Sequence, residues 1–186
     1  RIGSLALSCL CLATTIFAVQ AQSPANLLLV LVDDLSPEYL ACYPNHGSAP
    51  ATPNIDQLAG SGIRFDRAYA DPICSPSRAC LQTGLYATNT GVYRNGIVLD
   101  PELETLAKCF RAGGYTTGYI GKWHLGDVDP VPEAQRGGYQ EWLAANLLEF
   151  CSDAYETVLY DNDEQAVNLP GYRADALGDA AIRYVD

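Results

Sequence analysis

Methionine is absent from the 186 residues of this chain, and histidine occurs only twice. Because the sequence also starts at Arg1 rather than at an initiator methionine, we expect it to be a piece of a longer protein. Zinc knuckles are built from closely spaced cysteines and histidines. The scarcity of histidine, together with the lack of a Cys-x-x-Cys pair, therefore argues against a zinc site.

Basic side chains are also scarce, with 11 Lys and Arg against 22 Asp and Glu and a net charge of -11. A nucleic-acid-binding face has to neutralise phosphates with Lys and Arg, so we expect no nucleic-acid partner. An anionic substrate is still compatible with an acidic protein if a divalent cation and a few local cations line the pocket. Net charge governs solubility and steering, whereas the site decides binding.

The apolar run near the start is too short to span a membrane comfortably. It extends uncharged from Leu5 to Val19, follows Arg1 and ends at Val19-Gln20-Ala21, which is the form of a secretory signal peptide. We therefore assign residues 1–21 to a signal peptide and expect export to a periplasmic, secreted or lysosome-like compartment, with no stable membrane span. An N-terminal anchor or a buried helix is the alternative.

Export makes the cysteine count informative. Cys9 and Cys11 lie in the predicted signal, and the remaining five are Cys42, Cys74, Cys80, Cys109 and Cys151. An odd number in an exported chain leaves one cysteine unpaired or reserved for chemistry. Cys74 is our candidate for that residue, and the other four could form disulfides whose pairing the sequence leaves open.

Strand-like and helix-like segments alternate along the rest of the chain, which predicts an α/β fold with a mostly parallel sheet flanked by helices. The run Asn26–Val32 is short, bounded and continuously apolar, so it predicts a strand buried on both faces. The other predicted strands are Ile63–Ala70 and Tyr115–Ile120. The predicted helices are one that Thr52-Pro53 opens and Gly60 and Gly62 end, then Cys74–Gly84, Leu103–Ala112 and Arg173–Val185.

Two adjacent carboxylates, Asp33 and Asp34, directly follow the first predicted strand. Ligands of open α/β sheets bind outside the carboxyl ends of the strands. Carboxylate oxygens suit Ca²⁺ or Mg²⁺, so the pair is a candidate metal site. A solvated turn is the alternative.

The candidate nucleophile lies in Cys74-Ser75-Pro76-Ser77-Arg78, which Thr83-Gly84 follows. Cys74 and Arg78 are four residues apart and would share one face of a helix. The positive end of that helix would favour an anionic species at Cys74, and Arg78 can bind an anionic substrate or orient the nucleophile. A buried structural cysteine with a surface arginine is the alternative. The loop of the cysteine phosphatases places its arginine further from the cysteine.

A second candidate segment, Gly121-Lys122-Trp123-His124-Leu125-Gly126, leaves the end of a predicted strand. Lys122 and His124 are two residues apart, so in an extended segment their side chains face the same way. A cation beside an imidazole suits a developing oxyanion and proton transfer. An exposed lysine with a packed histidine is the alternative.

Together these segments resemble the type I, formylglycine-dependent sulfatases, an arylsulfatase-like family of the alkaline-phosphatase-like superfamily. The Cys74–Arg78 segment with Thr83-Gly84 matches the first family signature, and residues 121–126 match the second. The resemblance extends from about Asn26 to Asp186 and includes Leu31–Leu35, Thr52–Asp56, Leu159–Asn162 and Pro170–Tyr172. It identifies residues 22–186 as the N-terminal part of a sulfatase catalytic domain.

The resemblance implies an alkaline-phosphatase-like fold and hydrolysis of sulfate esters. A formylglycine-generating enzyme would oxidise Cys74 to formylglycine, and Asp33, Asp34 and the modified Cys74 would bind Ca²⁺. Arg78 and Lys122 would stabilise the aldehyde hydrate and the sulfate.

His124 would orient or deprotonate that hydrate. Sulfatases are longer than this chain and take further calcium ligands, a lysine and a histidine from downstream, so we expect the isolated chain to be inactive.

The substrate stays open among aryl sulfates, sulfated polysaccharides and glycosaminoglycans. One alternative function is a formylglycine-using phosphonate or phosphate monoester hydrolase of the same fold. Another is a non-catalytic exported glycan-binding homologue in which Cys74 is unmodified.

Overall fold

The computed structural model describes residues 25–44, 50–148 and 154–185. The chain divides into two compact units, Arg1–Leu35 and Ser36–Asp186. The predicted signal peptide and Cys151 lie outside the described residues. Within the described ranges, every helix is too short or too polar to cross a lipid bilayer.

The described part of the first unit contains neither helix nor strand and has a turn at Asp33 and Asp34. The predicted strand Asn26–Val32 is not formed, and its side chains are exposed, with Val30 at 73%. An extended segment becomes a strand only when a neighbour accepts and donates its backbone hydrogen bonds. The apolar run favours a strand, but the described residues of this unit supply no second strand with which it could pair.

The second unit contains helices and strands in alternation. Its described α-helices are α1 (Pro53–Ser61), α2 (Cys74–Thr83), α3 (Ala87–Thr90), α4 (Leu106–Ala112) and α5 (Arg173–Val185), with short 3-10 helices at Pro37–Tyr39 and Glu133–Gln135. Its described strands are β1 (Gly118–Lys122), β2 (Glu141–Ala145), β3 (Glu156–Tyr160) and β4 (Ala166–Pro170). This composition confirms the α/β class.

The sheet has the order β1-β2-β3-β4 and is mixed rather than mostly parallel. Strands β1 and β2 are parallel, with Lys122 opposite Ala145, whereas β3 is antiparallel to both of its neighbours. The short turn between β3 and β4 enforces this direction, because a parallel crossover needs a far longer connection. Asp161 holds that turn by accepting hydrogen bonds from the Asp163 and Gln165 amides.

The helices agree better with the sequence than the strands do. Helix α1 begins at Pro53 after Thr52, and α5 has its predicted bounds. Helix α4 starts three residues later than predicted, because the Thr105 side chain caps it by accepting from the Lys108 amide.

The two strand predictions for the second unit also changed. The segment Ile63–Ala70 contains bends and no strand, and Tyr69 is 93% exposed, so that prediction is wrong. Strand β1 is displaced from Tyr115–Ile120 to Gly118–Lys122. Its start follows the partner strand, since Gly118 pairs with Glu141.

Two hydrophobic clusters stabilise the second unit. The first joins α2 to the exit of β1 and β2, with Ala79, Trp123, Leu125 and Trp142 buried together. The second lies between the sheet and α5 and includes Leu148, Leu159, Leu169, Ala176 and Ala180. The first cluster fixes the two segments that carry the candidate site residues of this unit.

Candidate active site

Helix α2 starts at Cys74, as the sequence predicts. The Ser77 amide donates to the Ile73 carbonyl at 3.0 Å, and Pro76 lies in the first turn, where a backbone N–H has no intrahelical partner to lose. The helix ends at Gly84, whose φ of 70° is readily adopted by glycine. Cys74 is therefore a half-buried side chain at the positive end of a helix.

The exit of β1 differs from the extended path that the sequence predicts. Lys122 is the last residue of the strand and half-buried, whereas His124 has a φ of 60° and is only 8% exposed. The extended backbone that the period-two argument assumes is therefore absent at His124. The Trp123 and His124 amides instead donate to the carbonyls of Ala145 and Asn146, at 2.8 and 2.9 Å.

Hydrogen bonds join the start of α2 to the exit of β1, and we call this contact the α2–β1 junction (residues 74–78 against 122–126). The Ser75 hydroxyl donates to the His124 carbonyl at 2.7 Å. The Arg78 guanidinium donates from Nη1 to the Lys122 carbonyl at 2.6 Å. The structure thus brings the segments of Cys74, Arg78, Lys122 and His124 together.

Arg78 is buried, at 6% exposure, so the alternative of a surface arginine is wrong. Its Nη1 also donates to the Tyr119 hydroxyl at 3.3 Å, and that hydroxyl donates to the Lys122 carbonyl at 2.6 Å. Tyr119 stacks on Trp142 and meets Trp123 edge-on. The arginine is therefore held by an aromatic cluster as well as by the strand.

Sequence reasoning missed several polar residues that support the junction. Asn95 accepts from the Ser75 amide at 3.0 Å, and Asn146 exchanges two hydrogen bonds with Gly126. Each lies 20 residues from its partner, so no local spacing rule connects them. Only the folded chain identifies these contacts.

The predicted metal ligands Asp33 and Asp34 belong to the first unit, whereas Cys74 belongs to the second. Both aspartates have exposed side chains at a turn, and Asp34 has a φ of 52°. Their carboxylates are hard oxygen donors of the kind that Ca²⁺ and Mg²⁺ prefer. A cysteine thiolate is a soft donor that suits other metals, so residue 74 fits Ca²⁺ only with an oxygen-bearing side chain.

The four cysteines that the structure describes, Cys42, Cys74, Cys80 and Cys109, are all free thiols. Helix α2 contains two of them. Burial, with a smaller contribution from the charge of Asp71, raises the pKa of the Cys80 thiol. Cys80 is thus kept in the less reactive thiol form, because the thiolate is the nucleophile.

Comparison with known proteins supports one family. The family model described as Sulfatase matches residues 25–186. An N-acetylglucosamine-6-O-sulfatase of Bacteroides thetaiotaomicron is 32% identical over 162 residues, which are 87% of this chain and 27% of that protein. Arylsulfatase A of Bos taurus is 44% identical over 115 residues, which are 57% of this chain and 22% of that protein.

The fold comparison agrees with the sequence comparison. The solved structure of BT4656, in complex with its substrate D-glucosamine-2-N,6-O-disulfate, matches with a TM-score of 0.70 at 31% identity. It covers 82% of this chain, and this chain covers 29% of that protein. The chain thus spans less than a third of the length of these three relatives. Since the family match includes both signature segments and the α2–β1 junction that they form, this chain belongs to the type I sulfatase family.

Proposed function

We propose that the protein hydrolyses sulfate esters, with Cys74 oxidised to formylglycine by a formylglycine-generating enzyme. The observation that carries the proposal is the α2–β1 junction, in which the Ser75 and Arg78 side chains bind the carbonyls of His124 and Lys122. The junction joins the segments that carry a potential nucleophile, two cationic side chains and an imidazole. A sulfuric ester needs these groups, because its transition state carries negative charge on oxygen.

The oxidised side chain would supply the nucleophile. Formylglycine at residue 74 would supply, as its hydrate, one hydroxyl to displace the alcohol from sulfur and a second hydroxyl whose deprotonation would allow the aldehyde to re-form with release of sulfate, and addition of water would restore the hydrate. Arg78 and Lys122 bind the sulfate oxygens, and His124 orients the hydrate or takes its proton. The N-terminal turn of α2 adds a positive dipole at residue 74.

Asp33, Asp34 and the oxygen of formylglycine 74 are the proposed Ca²⁺ ligands from this chain. The support is the chemistry of the donors, because carboxylate and hydrate oxygens are hard ligands. Bound Ca²⁺ supplies positive charge that offsets the negative charge of the substrate. Residues 1–21 would direct the protein out of the cytoplasm. The acidic chain would then meet its substrate outside the cytoplasm.

We propose a sulfated carbohydrate or an aryl sulfate as the substrate. The support for a carbohydrate is the similarity to an N-acetylglucosamine-6-O-sulfatase and to a solved structure that holds a disulfated glucosamine. The rim of the pocket would determine which of these esters binds. Such a rim is built from surface loops, whose sequences vary more among related proteins than the core does.

The experiment that tests the proposal is the mass of the tryptic peptide Ala68–Arg78 from the full natural gene product, made in its own host. We expect the Cys74 thiol to be replaced by an aldehyde. An unmodified Cys74 in a host with a competent modifying enzyme would overturn the mechanism and favour a glycan-binding role.

Kinetics then identify the ester. The same gene product is assayed in parallel with an aryl sulfate and an aryl phosphonate. We expect the larger kcat/KM with the sulfate. A preference for the phosphonate would assign the protein to the alternative hydrolase class.

A further inference from the structure

The backbone of His124 has an uncommon conformation. Its φ of 60° lies in the left-handed region, where the Cβ of an L-residue meets the following carbonyl oxygen. Non-glycine residues keep such a conformation only where the surroundings fix it, and these positions cluster at functional sites. The contacts that hold His124 therefore bear on how its imidazole is aimed.

Asn146, at the end of β2, makes three of these contacts. Its carbonyl accepts from the His124 amide at 2.9 Å. Its side-chain Oδ1 accepts from the Gly126 amide, and its Nδ2 donates to the Gly126 carbonyl, both at 3.0 Å. Asn146 thus binds the backbone both before and after Leu125.

The chemistry of this contact requires an amide side chain. Asparagine presents a donor and an acceptor side by side, and a peptide unit presents the complementary pair. Asn146 is 6% exposed, so water cannot readily replace either bond. Asp129 fixes Asn146 in turn by accepting from its backbone amide at 2.6 Å.

The opposite side of the turn is held independently. Ser75 donates to the His124 carbonyl at 2.7 Å, and the Leu99 amide donates to the Leu125 carbonyl at 3.0 Å. Ser75 comes from α2 and Asn146 from the sheet, so the turn is clamped between two elements. Loss of the Asn146 side-chain pair would release Gly126 from the end of β2, whereas the backbone bond from the His124 amide to the Asn146 carbonyl would remain.

We propose that Asn146 is a positioning residue for sulfate-ester hydrolysis, which acts by holding the turn from His124 to Gly126 so that the imidazole points at the reacting group. This inference rests on the proposed function. It assigns to Asn146 an effect on turnover rather than on substrate binding, because His124 acts on the nucleophile and not on the sulfate.

The test uses the full natural gene product and the isosteric substitution Asn146→Asp. The new carboxylate accepts from the Gly126 amide but cannot donate to the Gly126 carbonyl. We expect kcat to fall about 10- to 100-fold, since a misplacement of about 1 Å can reduce the rate about 100-fold. KM should stay within about twofold, because uniform binding is not removed.

Asn162→Asp is the matched control. Asn162 is bound to the start of β2 by accepting from the Trp142 amide at 2.6 Å, and its Nδ2 donates to the Gln140 carbonyl at 3.2 Å. The same chemical change thus perturbs the same strand at the end away from His124. We expect its kcat to stay within about twofold of the parent value.

Acidification gives a second readout. Below the pKa of the new carboxyl group, Asn146→Asp regains an O–H donor for the Gly126 carbonyl. We expect burial, together with the Asp129 carboxylate that accepts from the residue 146 amide, to raise that pKa. The ratio of variant kcat to parent kcat should therefore rise as the pH falls. The same ratio for Asn162→Asp should stay flat. A flat ratio for both variants would overturn the inference and reduce Asn146 to a structural residue.

Asn146→Ser serves if Asn146→Asp does not fold. Its hydroxyl is too short to bond both groups of Gly126, so we expect the same loss of kcat. A parent enzyme that releases no sulfate overturns the proposed function and this inference with it. An active parent whose kcat survives both Asn146 substitutions overturns this inference alone.

Discussion

Single residues at the α2–β1 junction act through backbone carbonyls. Arg78 and Ser75 are buried, and both donate to carbonyls of the second signature segment. A hydrogen bond to a backbone carbonyl fixes the position of a guanidinium without itself neutralising the positive charge of that group. Arg78 can therefore be held rigidly and still serve an anionic substrate.

Arg78→Lys is expected to destabilise the protein by about 1–3 kcal/mol, because a lysine cannot reproduce the forked donors and leaves a buried carbonyl poorly satisfied. The midpoint of urea unfolding measures this change. Arg111→Lys is the control, since the exposed Arg111 also donates to one carbonyl, that of Gly138. Equal midpoints for the two variants would contradict the buried role of Arg78.

The Cys80 thiol gives a prediction of pH dependence. Because burial and then Asp71 raise its pKa, less thiolate is present at a given pH, and alkylation should become fast only at a higher pH than for an ordinary thiol. Iodoacetamide labelling followed by peptide mass measures the rate. Asp71→Asn should move the Cys80 profile towards lower pH while leaving the exposed Cys109 unchanged. An unshifted Cys80 profile would show that Asp71 does not contribute.

At the scale of elements, the ends of helices were predictable, and the partners of strands were not. Thr52-Pro53 and Gly84 are local signals. Helix α1 begins at the first of them, and helix α2 ends at the second. Strand β4 contains Asn168 and Pro170 and shows no clear alternation, yet it pairs along its full length with β3. Strand structure depends on a neighbour that the local sequence does not reveal.

The candidate site divides in the same way. Cys74 and Arg78 lie on one helix, as their spacing predicted. His124 lies beyond a strand in a left-handed conformation, to which the period-two spacing does not apply. Asn146 could not be found from the sequence, because an isolated asparagine in an apolar segment carries no motif.

The left-handed end of α2 gives a prediction about this element. Gly84→Ala should destabilise the protein by about 1 kcal/mol, because φ is 70° there, although a methyl group would meet no atom within 4 Å. Gly60→Ala is the matched control inside α1, where space is also open. It should stabilise by about 0.5–1 kcal/mol through helix propensity. Thermal unfolding measures both, and shifts of the same sign would refute the conformational explanation.

At the scale of the whole molecule, the two units differ in the burial of their apolar side chains. The second unit has buried clusters around Trp123 and Leu159, whereas the described part of the first exposes its apolar run. Exposed contiguous apolar surface is unusual on soluble proteins and binds apolar partners. The apolar run of the first unit is therefore a contiguous exposed apolar surface.

This surface should bind the dye ANS when residues 22–186 are produced alone. Replacing Leu28 and Val30 by lysine should reduce the fluorescence, because these side chains are 69% and 73% exposed. Val128→Lys is the control, since Val128 is 51% exposed but lies outside the run. Equal fluorescence changes for the two variants would show that the dye binds elsewhere.

The α2–β1 junction also affects the order in which contacts form during synthesis and folding. Its two side-chain hydrogen bonds join residues that are separated by 44 and 49 positions in the sequence. The His124 amide is also bound by the carbonyl of Asn146. Closing such loops has an entropic cost, so contacts of this length form after local helices. On a ribosome, Cys74 emerges long before the segment that will enclose it. For that interval Cys74 belongs to an open chain, and the hydrogen bonds from Asn146 to the turn at His124 can form only when the end of β2 has been synthesised.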